Sequence, residues 1–246
     1  MENRNKFFTK GAWCSDTLKK RYNHIKNVLD AFLQNGIDED DLKYIIKNAF
    51  VSKIYISKEA KEKLDKYKTH CEKAGKDWKL KKLYDEICTD GYLELPGETD
   101  GLSHFDFCKV IDLQEKDSEE KNIKLGLRIE HMVPGKVYID YVLNMVKNGL
   151  DNFTQDVFES VFKSVHICIV TADEARNLDK LGFRDKIDAN KKNKFIGKPF
   201  ARYINYNKKI IESKEQISDD KNNMKPISLW NTNMEENKQS SSSDFD

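Results

Sequence analysis

The sequence predicts an α+β fold, and three observations carry that prediction. Apolar residues recur at helical spacing through the first third of the chain. The stretch Val165-His-Ile-Cys-Ile-Val170 is short, β-branched and almost wholly apolar, which suits a buried strand. A second extended run, Ile123 to Val133, is stopped by Pro134, which has no N–H and restricts the residue before it. The expected organisation is a helical recognition or interaction region over 1–95, a mixed region over 104–212 and a polar, disordered tail over 213–246.

In chain order, Ser15-Asp16 caps a helix to about Gln34, with Leu18, Tyr22, Ile25, Leu29, Phe32 and Leu33 on one face and Asn35-Gly36 as the stop. Asp38 caps a second helix carrying Leu42, Ile45, Ile46 and Ala49, and Val51 to Ile56 is extended. A strongly charged helix runs from Ser57 toward Lys73, and Asp77 caps another that carries Trp78, Leu80, Leu83, Tyr84 and Ile87. Pro96-Gly97 and Asp100-Gly101 punctuate the chain; Phe105 to Leu113 then reads as a strand and Gln114 to Asn122 as a polar loop. Helices are expected near 136–148 and 154–163. After the Val165 strand, Thr171 and Glu174 have capping-box spacing, with Asp173 and Glu174 favouring the positive helix end.

Composition narrows the class. With 35% charged and 38% hydrophobic residues and a mean hydropathy of −0.76, the 246-residue chain is polar, while 11% aromatics supply a core. No run approaches the roughly 20 apolar residues that span a bilayer, and the opening residues lack a secretory signal's apolar stretch, so no membrane partner is expected. The five cysteines, Cys14, Cys71, Cys88, Cys108 and Cys168, are widely spaced without a CxxC pair, which reads as a reduced, cytoplasmic protein without a local zinc knuckle. No Gly-rich phosphate loop points to a nucleotide cofactor.

The stretch Lys124-Leu-Gly-Leu-Arg-Ile-Glu-His-Met-Val-Pro134 delivers Glu130 and His131 together at a strand end. Alternation puts His131 on the side of Leu127 and Ile129, and Glu130 with Arg128 on the other, so the two converge only where the strand frays. Glu130-His-Met-Val-Pro134, followed by the strand Ile167 to Thr171 and the helix Ala172 to Asp179, resembles the ββα-metal core of HNH nucleases. That family ends its first strand in Asp-His-hydrophobic-hydrophobic-Pro, and here Glu replaces Asp. The resemblance covers residues 124–203, makes 104–212 an HNH-like catalytic region and implies a helical insertion over 135–164. It also implies that His131 acts as general base and that Mg²⁺ or Mn²⁺ is held by Glu130 with Asp173, Glu174 or Asn177.

Charge is unevenly spread behind a net of +1: residues 176–214 hold twelve Lys or Arg against four Asp or Glu, and residues 215–246 hold three against seven. Arg184, Lys186, Lys198 and Arg202 in the basic stretch are expected to meet a phosphate backbone, while Phe183, Phe200 and Tyr203 either stack on bases or pack a core. His166 is expected to be packed and Cys168 to be a small buried hydrophobe. His24 and His70 lack a local constellation, and His104 lies among Asp100 and Asp106.

The sequence thus predicts a metal-dependent DNA endonuclease of restriction or phage-defence type, with a homodimer left open. The alternatives are a non-enzymatic nucleic-acid-binding or protein-interaction module and a toxin-type RNase acting on RNA.

Overall fold

The structure, a computed structural model, describes residues 18–73, 75, 81–94, 126–188, 194–215 and 224–234. These form an α+β fold. In order they are α1 (Leu18–Leu33), α2 (Glu39–Ala49), β1 (Lys53–Ile56), α3 (Lys58–Lys73), α4 (Lys81–Asp90), β2 (Tyr92–Glu94), β3 (Leu127–His131) and α5 (Gly135–Lys147). A 3₁₀ turn (Leu150–Asn152), α6 (Gln155–Ser164), β4 (His166–Thr171), α7 (Ala172–Lys180) and α8 (Ala201–Glu215) follow. The expected caps Ser15-Asp16 and Asp77, the strand Phe105 to Leu113, the loop Gln114 to Asn122 and His104 lie outside the described residues.

Local chemistry sets the helix starts. Asp38 accepts a hydrogen bond from the Asp41 N–H at 2.8 Å and is followed by three acidic residues in the first turn of α2. Thr154 caps α6 in the same manner through the Val157 N–H. At Thr171 the capping box is complete, its hydroxyl accepting from the Glu174 N–H at 3.1 Å and its own N–H donating to the Glu174 carboxylate at 2.7 Å.

The four strands form one mixed sheet of order β2-β1-β4-β3. β1 runs parallel to β4, with Lys53 opposite His166 and Ile56 opposite Ile169; β2 and β3 are antiparallel to their neighbours. Helices cover both faces. Ile54, Ile56, Leu127, Ile167 and Ile169 pack with Ala60, Leu64 and Ile87 of α3 and α4. Tyr55, Cys168 and Val170 pack on the other side with Leu178 of α7 and Phe200, Tyr203, Tyr206 and Ile210 at the start of and along α8. Every residue of β4 is therefore buried, as expected of a strand with partners on both edges and both faces.

Two expectations change. The helical region 1–95 is no separate packing unit: β1 and β2 belong to the common sheet, and α1 and α2 share one core with the helices of the insertion, α5 and α6. Ile25, Val28, Leu29, Ile45, Ile46, Phe50, Tyr138, Val142, Phe158 and Val161 meet there. Nor is all of 213–246 a solvated tail. α8 continues to Glu215, and residues 224–234 form a strap whose Ile227 and Leu229 are buried against the α8 side of the sheet. The strap is held by backbone bonds from Lys58 N to Ser228 O and from Trp230 N to Ile56 O, both 2.9 Å. Gly91, at φ +80°, gives it room, because a Cβ there would sit 2.9 Å from the Asn231 carbonyl oxygen.

Candidate functional site at the end of strand β3

Strand β3 keeps its alternation to the end, with Glu130 opposite Cys168 and His131 opposite Ile167, and the Met132 N–H still bonds the His166 carbonyl. Glu130 and His131 therefore part to opposite sides of the strand instead of converging at a frayed end. Pro134 ends the ladder and starts α5, whose first helical residue is Gly135.

Glu130 lies on the α8 side. Its carboxylate accepts from Arg202 Nη1 at 3.2 Å; the Glu130 side chain is 27% exposed and that of Arg202 only 2%. Arg202 also donates from Nη1 to the His131 carbonyl at 2.7 Å and from Nε to the Phe183 carbonyl at 2.8 Å. Burial raises the Glu130 carboxyl above the ordinary carboxylate range, against the lowering pull of Arg202 and, more weakly, of Lys47, while Asp179 at the end of α7 adds to the rise.

His131, half-buried, sits on the helical side with its ring 6.2 Å from that of Tyr138 on α5. The Tyr138 hydroxyl donates to the Lys47 carbonyl at 2.8 Å, fixing the end of α2 beside the site. The Lys47 side-chain stem lies 3.7 Å from where a Gly135 Cβ would be, which brings an exposed cation to the start of α5. Residues from α2, β3, α5, α7 and α8 thus adjoin one corner.

The metal ligands expected on α7 are not at this corner. Thr171 pairs with Leu127, four residues along β3 from His131, so the first turn of α7 begins about 13 Å away at strand rise. There Glu174 is buried and its carboxylate is committed, accepting from Thr171 N and from the Ser57 hydroxyl, each at 2.7 Å. Asp173 is exposed and paired with Arg176. Asn177, one turn further on, faces the Tyr206 hydroxyl and partly offsets the rise that burial gives its pKa. Among the described residues no group of three His, Cys, Asp or Glu side chains is disposed to hold a metal ion, so the donor set expected for Mg²⁺ or Mn²⁺ is not brought together by them.

The cations divide. Arg184 and Lys186 are exposed in the loop that leaves α7 at Gly182 (φ +83°), and Lys198 is exposed in the turn before α8. Arg202, expected to meet phosphate, is instead buried, with Nε and Nη1 donating inside the protein. Phe183, Phe200 and Tyr203 are core residues and offer no stacking surface.

Comparison with known proteins identifies no relative. No protein-family model, curated protein or solved structure matches this chain. Function therefore rests on the chemistry of the corner itself. Elsewhere, His166 is buried with Nδ1 2.8 Å from the Ser52 hydroxyl, and burial depresses its pKa to about 3. Cys71, Cys88 and Cys168 are free thiols, and among the described residues no helix is long and apolar enough to cross a membrane.

Sequence reasoning missed Lys47, Tyr138 and the Glu130–Arg202 pair. A signal for the last was present: Phe200, Tyr203, Tyr206 and Ile210 follow a helical stripe, and a cation inside such a stripe needs an acidic partner. Which acid it takes is a long-range fact, 72 residues distant.

Proposed function

We propose that this chain is a nucleic-acid endonuclease that hydrolyses phosphodiester bonds, with DNA as the first substrate, at the corner formed by Glu130 and His131. The observation that carries the reading is the order of elements: the end of β3, which bears Glu130 and His131 on its two sides and has Arg202 bonded to the Glu130 carboxylate and the His131 carbonyl, pairs antiparallel with β4, and β4 leads into α7. That is the order of elements behind the resemblance to HNH nucleases. His131 takes a proton from water as the water oxygen bonds to phosphorus and the bond to the leaving oxygen breaks. Arg184, Lys186 and Lys198, exposed beyond α7 and before α8, hold the polymer by its phosphates. A role in restriction or phage defence suits such an enzyme.

A second reading, a nucleic-acid-binding or protein-interaction module without catalysis, is favoured by one observation. The carboxylates of Glu130 and Glu174 are both engaged inside the protein. One experiment separates the readings: incubation of plasmid DNA, single-stranded DNA and RNA with wild type and His131→Ala, in Mg²⁺, in Mn²⁺ and in EDTA. Cleavage by wild type that is lost in the variant supports the endonuclease, and preference for RNA makes it an RNase. Retained nucleic-acid affinity with no cleavage by wild type on any substrate overturns it in favour of the module.

A further inference from the structure

We infer that Arg202 is the positioning residue of this site, a buried guanidinium that sets the geometry of the Glu130–His131 peptide against the basic loop; the inference rests on the endonuclease reading. Its side chain is 2% exposed and cannot reach a phosphate in solvent. It acts through the groups it holds. Nη1 bonds both the Glu130 carboxylate (3.2 Å) and the His131 carbonyl (2.7 Å), so one donor atom ties the Glu130 side chain to the backbone of the residue that carries the chemistry. Nε bonds the Phe183 carbonyl at 2.8 Å, and the next residue is Arg184, the first exposed cation of the loop.

Both ends of this bridge are stiff. The Phe183 side chain is buried against Tyr206, with ring centroids 6.1 Å apart, and the Phe183 N–H bonds the Leu178 carbonyl. His131 is held in the β3 ladder. Beside the β3–β4 ladder, Arg202 thus links the backbone of the general base to the polymer-binding loop through one planar, forked donor set. A lysine retains the charge but presents a compact ammonium, which cannot repeat donors on both sides of the planar group. Displacing a reacting group by about 1 Å costs on the order of 10²-fold in rate.

The test is Arg202→Lys and Arg202→Ala in the full chain, read by cleavage kinetics on the DNA that wild type cuts and by the His131 Cε1–H NMR signal. The expected result is a kcat lower by about 10²-fold in Arg202→Lys with KM within about threefold of wild type, and a displaced His131 signal. Guanidinium at millimolar concentration is expected to restore part of the activity of Arg202→Ala, where methylammonium at equal ionic strength does not. An Arg202→Lys protein with wild-type kcat and an unmoved His131 signal overturns the inference. So does a variant whose only change is a raised KM and a weaker salt dependence of binding, because that marks a phosphate contact. If neither variant folds, exchange of the Arg202 Nε–H in wild type decides: slow exchange is expected of the bond to Phe183, and rapid exchange overturns the bridge. Wild type that cuts nothing removes the endonuclease reading; the NMR and exchange measurements still report whether Arg202 couples the two segments.

Discussion

Acidification should weaken this protein through His166 in a way that one substitution isolates. The imidazole opens β4 behind Tyr55 and Phe200, with Lys53 nearby and its Nδ1 on the Ser52 hydroxyl; burial holds its pKa near 3, against an ordinary value of about 6.5. The folded-state value is depressed, so the unfolded chain takes up a proton below about pH 6.5 and the folded chain does not. The neutral ring's contribution is whole above pH 6.5 and is lost progressively toward pH 3. At pH 5 the difference between the two titrations is about 1.5 pH units, or about 2 kcal/mol. Glu130 and Glu174, raised by burial, act with the opposite sign, since protonation relieves them in the folded state. His166→Asn removes the titrating ring and keeps a polar atom near the Nδ1 position. Urea unfolding at pH 7 and pH 5 should show wild type losing about 2 kcal/mol more than the variant over that interval. Equal losses in the two proteins would refute the assignment of a buried, neutral His166.

Three further outcomes follow from packing and capping. Thr171→Ala should cost about 1 to 2 kcal/mol in chemical denaturation, because it removes the hydroxyl half of the α7 capping box; a loss under about 0.3 kcal/mol would count against the cap. Leu229→Ala, which empties a buried seat of the strap, should cost about 2 to 5 kcal/mol and speed proteolysis within 224–234; unchanged stability would mean that the strap does not close the core. Gly91→Ala should destabilise by more than 1 kcal/mol, roughly the ordinary cost of a side chain at positive φ, since the added carbon also meets the Asn231 carbonyl. A neutral result in thermal melts would remove that contact from the account.

Much of the local structure was legible because its causes are local. Asp38, Thr171 and Glu174 announce helix starts by side-chain chemistry within three residues, and the β-branched run at 166–171 announces a buried strand. Alternation also foretold that Glu130 and His131 part unless β3 frays, and β3 stays paired. What was not legible depends on distant partners. Whether Arg202 faces solvent or Glu130 is decided by the docking of α8 on the sheet. Met224, Ile227, Leu229 and Trp230 are too few among polar neighbours to signal a buried segment until the groove beside Ser57 exists to receive them. The joint packing of α1 and α2 with α5 and α6 likewise follows from tertiary contacts that no periodicity encodes.

The parallel pairing of β1 with β4 carries a kinetic consequence. Ser52 bonds to Val165 across 113 positions of chain, and the seal at Ser57 is supplied from Leu229, later still. Loop-closure entropy must be met before those pairings return any stabilisation, so the sheet belongs to the slow-folding, high-contact-order class. On the ribosome, the β1 edge that will receive β4 waits through the synthesis of more than a hundred residues. A chain in that interval presents Ile54 and Ile56 without their lasting cover, which makes its yield sensitive to synthesis rate and to chaperone supply.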